Sequence, residues 1–249
     1  MKNFFGKKSA PINPGTVLPV LPFSGNRRLF LQWAGMTSAA GVLLSSCKND
    51  MLGPDGAART GIGADVDVNL GSGDVGILNY AYALEQLEAT FYERVVANPY
   101  SGMSAMERSI LMDIRDHEVA HREFFKAALG SAAIPALAID FPGVNFNSRD
   151  SILQTARTFE DLGVAAYNGA GQLLADMRNL NTAGKIVSVE ARHAAIIREL
   201  LSPNSRAFAG DDVVDPATGL DKAMKPGEVA PTAQTFIKQG LIASNLPTM

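Results

Sequence analysis

The sequence predicts an all-α protein, a four-helix bundle with one long crossover between its second and third helices. Three observations carry that prediction. Four stretches between residues 74 and 202 repeat apolar residues at helical spacing. The gap between the second and third is about 18 residues and contains Pro135, Pro142 and Gly143, which is long for a structureless connection. Two of the chain's three histidines follow a glutamate by three residues, as Glu118-Val-Ala-His121 and Glu190-Ala-Arg-His193, one pair on the second stretch and one on the fourth.

The first helix is expected over residues 75–96, where Ile77, Leu78, Ala81, Leu84, Leu87, Phe91 and Val95 form one apolar stripe. Asp74 stands where an N-cap belongs, and Asn98-Pro99 with Ser101-Gly102 ends the helix. The second starts near Ser104, with Glu107 completing a capping box, and runs to Leu129-Gly130. The third is expected from Ser148 or Asp150 to about Arg178. The fourth follows a turn at residues 179–182 and stops at Ser202-Pro203. A helix of ~26 residues is ~39 Å long, and ~18 extended residues reach ~60 Å. The crossover can therefore return along the whole bundle and start the third helix parallel to the second. Residues 204–249 contain several Gly and Pro and one expected short helix at 232–243, with no function assigned to them.

Composition excludes several classes. With 47% hydrophobic and 19% charged residues and a net charge of −3, the chain is globular in type and lacks the basic excess of a nucleic-acid binder. Cys47 is the sole cysteine, so no intramolecular disulfide, thiolate zinc site or iron–sulfur site can form. Any metal must be held by His, Glu and Asp.

The first 47 residues are expected to form an export signal. Asn26-Arg27-Arg28-Leu29-Phe30-Leu31-Gln32 leads into an apolar run over residues 33–44, which ends in Leu44-Ser45-Ser46-Cys47. Arg27 and Arg28 resemble a bacterial twin-arginine signal. The Leu-Ser-Ser-Cys end resembles a lipobox, whose Cys47 becomes the lipidated N-terminus. The run is short for a membrane span of ~20 residues. Residues 48–72 are expected to be a flexible tether. Together these features predict a bacterial lipoprotein of the periplasm, outer membrane or cell surface, held to the membrane through the lipid on Cys47.

The chemistry concentrates on four helix faces. Positions i and i+3 share a face, so each Glu-x-x-His pair presents a carboxylate with an imidazole. Imidazole suits iron, zinc and copper, and carboxylates suit hard ions. The other two helices supply Glu85 and Glu88, with Tyr92 beyond, and Glu160, with Tyr167 beyond. Glu85–Tyr92 and Glu160–Tyr167 have the same seven-residue spacing, so the chain is a weak internal duplication of Glu…Tyr followed by Glu-x-x-His. The tyrosine register favours Glu85 as the ligand of helix one. The spacing from Glu88 to Glu118 matches that from Glu160 to Glu190 and favours Glu88. Tyr92 and Tyr167 suit hydrogen bonds to ligand carboxylates, with packing as core aromatics the alternative. His117, ~100° around the helix from Glu118, is expected to point away from the site.

Residues 74–202 resemble a ferritin-like domain, close to the bacterial ferritin-like or desiccation-related proteins. Leu84-Glu85, Glu88-Ala89, Phe91-Tyr92, Asp116-His117-Glu118-Val119-Ala120-His121, residues 160–167 and Val189-Glu190-Ala191-Arg192-His193 carry the resemblance. It implies two metals ~3.5–4 Å apart, bridged by Glu118 and Glu190, capped by His121 and His193, with Glu85 and Glu160 as terminal ligands. Arg192 resembles the arginine of an ExRH variant of the motif. The ions implied are two irons, or alternatively two manganese ions, and the substrate O2 or peroxide. The implied activity is that of a ferroxidase or peroxidase-like oxidoreductase in stress protection, against a dimanganese catalase-like enzyme or a non-enzymatic envelope protein. A homo-oligomer is compatible, but a lipid tether fits poorly with a 24-subunit storage cage.

Overall fold

The computed structural model describes residues 66–248. The export signal, with Arg27, Arg28 and Cys47, and most of the expected tether lie outside the described residues. The chain runs β1 (Val68–Asn69), α1 (Gly73–Ala97), α2 (Ala105–Leu129), a 3₁₀ turn (Gly130–Ala132), α3 (Arg149–Gly171), α4 (Met177–Leu201), a second 3₁₀ turn (Arg206–Ala209), α5 (Pro226–Gln234) and β2 (Leu241–Ile242). Helices α1 to α4 make the predicted bundle, α1 packing on α2 and α3 on α4, with the long crossover between α2 and α3. Among the described residues no helix is long and apolar enough to cross a membrane.

Helix boundaries follow local chemistry where caps are short-range. Ser104 accepts a hydrogen bond from Glu107 N at 3.1 Å and starts α2 as expected. Ser148 does the same for α3 through Ser151 N, and α4 ends before Pro203. Asp74 behaves differently from its expected capping role. Ser72 holds the N-cap position of α1. Asp74 instead accepts from Ala175 N at 2.8 Å, Asp176 N at 2.9 Å and Asn179 Nδ2 at 2.8 Å, tying α1 to the α3–α4 turn. Helix α3 ends at Gly171, ahead of this tie, rather than near Arg178. Asp176 then caps α4 through Arg178 N at 2.8 Å, so residues 179–182, expected as a turn, lie in the first turns of α4.

The core is sealed by segments outside the bundle. Phe91 and Phe159 meet edge-on at 5.2 Å, Phe141 of the crossover lies 5.6 Å from Phe91, and Phe236 of the tail lies 4.9 Å from Phe159. The short helix expected at 232–243 is displaced. Pro226 starts α5 and Glu228 accepts from Lys225 N at 2.6 Å, while Gly240 and its neighbours leave helical geometry. Leu241 and Ile242 pair in parallel with Val68 and Asn69, and Gly240 O accepts from Val68 N at 2.8 Å. The last residues of the expected tether are thus a strand, with Leu70 fully buried. Their partner lies over 170 positions away, beyond any local pattern. Arg198 fastens the tail through Asp161, Asp212 and Ala207 O at 2.7–3.1 Å.

Replacing Asp74 with Ala removes three bonds that join α1 to the α3–α4 turn. The melting temperature should fall by about 2–4 °C, read by circular dichroism, with helix content at low temperature unchanged.

Candidate metal centre

The bundle brings all six expected ligands to one place. Glu85 of α1, Glu118 of α2, Glu160 of α3 and Glu190 of α4 are each 0% exposed, and His193 is buried beside them. Two overlapping groups result: Glu85, Glu118, His121 and Glu190; and Glu118, Glu160, Glu190 and His193. Within each group, one ligand atom per residue lies within 4.8 Å of every other. Glu118 and Glu190 belong to both. His121 Nδ1 is 2.9 Å from Glu190, 3.4 Å from Glu85 and 3.6 Å from Glu118. His193 Nδ1 is 2.8 Å from Glu118, 3.3 Å from Glu190 and 3.5 Å from Glu160. Each imidazole is nearest the glutamate of the opposite Glu-x-x-His pair, which makes the site nearly two-fold.

These close approaches are not hydrogen bonds. Glu85 Oε2, both oxygens of Glu118, Glu160 Oε2, both oxygens of Glu190 and Nδ1 of both histidines are buried without a hydrogen-bond partner. One N–H on each ring cannot satisfy so many acceptors, and buried unpaired carboxylates are costly. The orphaned atoms converge within each group, as the ligands of a cation do. The donor set therefore fits two metal ions.

Charge in the cluster is divided unevenly when protons alone balance it. Burial pushes the carboxyls of Glu118 and Glu160 up, and Glu190 adds to the shift at Glu118. Burial acts the same way on Glu190 but is outweighed by His121 and His193, which hold it down at about 2. For His193 burial is outweighed by Glu160, Glu118 and Glu190, which push it up to about 12. His121 is raised likewise, by Glu118, Glu190 and Glu85 against its burial.

Two buried tyrosines complete the set. Tyr92 Oη of α1 donates to Glu160 Oε1 of α3 at 2.5 Å, and Tyr167 Oη of α3 donates to Glu85 Oε1 of α1. Each bond leaves the other oxygen of its carboxylate free toward the site. Glu88 is also buried in this interior but belongs to neither group. Arg192 is exposed and bonds Ser188 at 3.2 Å, outside the site.

His117 differs from expectation. Its Nδ1 lies 2.9 Å from Nε2 of His193, and the two rings stack at 5.2 Å. A 100° rotation from Glu118 carries residue 117 off the core face, and α4 stands on that side, which helix spacing alone does not specify. The contact occupies the second nitrogen of His193 and keeps Nδ1 turned to the carboxylates. The adjacency of His117 to Glu118 was the one available signal. A narrow apolar cavity of about 50 Å³ lies between the helices, lined by Ala81, Leu84, Phe125, Ala166 and Tyr167.

Fold and site together define a helical-bundle protein with a buried carboxylate–histidine centre compatible with metal binding. The family model that matches is the ferritin-like domain, over residues 73–203. The chain belongs to the ferritin-like domain family. No curated protein sequence matches it significantly.

The pH dependence of stability follows. Glu118, Glu160, His121 and His193 hold protons more tightly folded than unfolded, so their contribution is complete at low pH. It is lost as pH rises above about 4 for the glutamates and about 6.5 for the histidines. Glu190 acts oppositely, losing its contribution only as pH falls from about 4 toward 2. The metal-free protein should therefore melt at lower temperature at pH 8 than at pH 5. Added Mn(II) should raise the midpoint more at pH 8, because binding displaces those protons. Calorimetric scans at both pH values check this; a metal increment independent of pH contradicts it.

Proposed function

We propose that this chain is an exported dinuclear-metal protein, with iron the first assignment, acting as a ferroxidase or as an oxidoreductase toward O2 or peroxide in stress protection. The observation that carries the proposal is the pair of overlapping ligand groups sharing Glu118 and Glu190. When bound, a pair of iron ions supplies the electrons that reduce O2 or peroxide. The chain's own residues account for the rest. Glu118 and Glu190, common to both groups, would be shared by the two ions, Glu85 with His121 would hold one, and Glu160 with His193 would hold the other. Tyr92 and Tyr167 hold one oxygen of each terminal carboxylate, so that only the second turns inward. The small apolar cavity lined in part by Tyr167 is of a size and polarity that suit a small uncharged oxidant.

The same side chains accept manganese, so metal preference is a matter for experiment. Export through the twin-arginine pattern at Arg27 and Arg28 delivers a folded protein, which suits a centre whose ion is decided by geometry and metal supply. Lipidation of Cys47 places it in the periplasm or at the outer membrane or cell surface, and that tether argues against a storage cage.

The full-length protein, loaded anaerobically with Fe(II), should consume O2 or peroxide faster than free Fe(II) does. Glu118→Ala should fall to the rate of free Fe(II). Turnover of peroxide by the manganese form alone assigns a catalase-like activity instead. Bound metal without turnover in either form leaves a structural staple.

A further inference from the structure

Among the described residues two buried glutamates of the bundle lie outside the six-ligand set, and Glu107 is paired with Arg149 whereas Glu88 is not. Glu88 is buried, and its Oε2 has no hydrogen-bond partner. The internal duplication shows what faces it. Glu88 comes three residues after Glu85 and four before Tyr92; Gly163 comes three after Glu160 and four before Tyr167. The two positions are equivalent in the two halves, and the structure sets them against each other. A Cβ built on Gly163 would lie 3.0 Å from Glu88 Oε1 and 3.8 Å from its Cδ. The carboxylate of one half therefore occupies the space that a side chain of the other would need. A side chain at position 163 would have to displace the Glu88 carboxylate by a few tenths of an ångström or more, and glycine leaves it in place.

A packing role alone leaves the chemistry unexplained. An apolar side chain would fill the gap without the cost of burying an unpaired carboxylate. Burial, then repulsion from Glu118, Glu190, Glu85 and Glu160, pushes the carboxyl of Glu88 up, so this group lies within the field of the whole cluster. Its orphaned oxygen lacks a partner, and a cation held by that cluster would supply one.

We propose that Glu88 is a seventh ligand of the metal pair, an asymmetric carboxylate supplied from the α1–α3 side, whereas the shared Glu118 and Glu190 come from α2 and α4. The proposal rests on the dinuclear assignment above. Its consequence is electrostatic. Four carboxylates neutralise two divalent ions, and a fifth compensates charge gained when the ions are oxidised, so Glu88 favours the higher oxidation state. Gly163 is the structural condition for that ligand.

Co(II) is a suitable probe, because its visible absorption reports coordination number and needs no turnover. Full-length wild type, Glu88→Gln and Gly163→Ala would be titrated anaerobically with Co(II), with circular dichroism to verify the helical fold. Wild type should bind two ions. Glu88→Gln should bind the pair at least about 10-fold more weakly and absorb more intensely per ion as a ligand is lost. Gly163→Ala, which keeps the carboxylate but crowds it, should shift both readings in the same direction. Unchanged affinity and spectrum in a folded Glu88→Gln would overturn the proposal while leaving the dinuclear centre intact. Wild type that binds no Co(II) overturns the dinuclear assignment and this proposal together.

Discussion

Four fully buried glutamates that converge on two imidazole nitrogens set the terms for this structure. Carboxylates so close together cannot all be ionised in an apolar core without positive charge beside them. Protons on His121 and His193 supply part of it, and the carboxyls of Glu118 and Glu160 are pushed toward their neutral forms. Metal ions would supply it more completely. The bundle must hold these groups together despite their repulsion. It does so with four long helices, an aromatic cluster from four segments, and a tail clamped by Arg198.

The two halves of the bundle are stitched through their ligands. Tyr92 reaches from the first half to Glu160 of the second, and Tyr167 reaches back to Glu85. Neither half can place its own terminal carboxylate without the other, which couples formation of the site to docking of α1 on α3. The near two-fold pattern is broken at two positions. Glu88 faces Gly163, and His117 backs His193 where the equivalent residue beside Glu190 is Val189. The two ligand groups are therefore chemically distinct although their side chains match.

Much of this was legible before any coordinates, for reasons that differ by element. The helical stripes, the Ser104 cap and the Glu-x-x-His faces depend on residues within one or two turns, and sequence spacing reports those directly. Glu85 rather than Glu88 falls in the carboxylate–histidine groups, and Tyr167 bonds it across the bundle. What spacing missed was long-range. The role of Asp74, the early end of α3, the pairing of Val68 with Leu241 and the stacking of His117 on His193 join segments far apart in the chain. The tail misled in the opposite way, because Phe236, Ile237, Leu241 and Ile242 show helical spacing yet serve the core and a strand.

The most direct measurement is the metal content of the full-length protein by mass spectrometry after anaerobic loading with Fe(II) or Mn(II) and removal of free ions. The buried negative charge should retain two ions per chain, and Glu118→Ala none or one, since Glu118 belongs to both groups. A protein that folds, keeps its buried carboxylates and retains no metal under either condition would contradict it, and protons alone would then be the counter-charge.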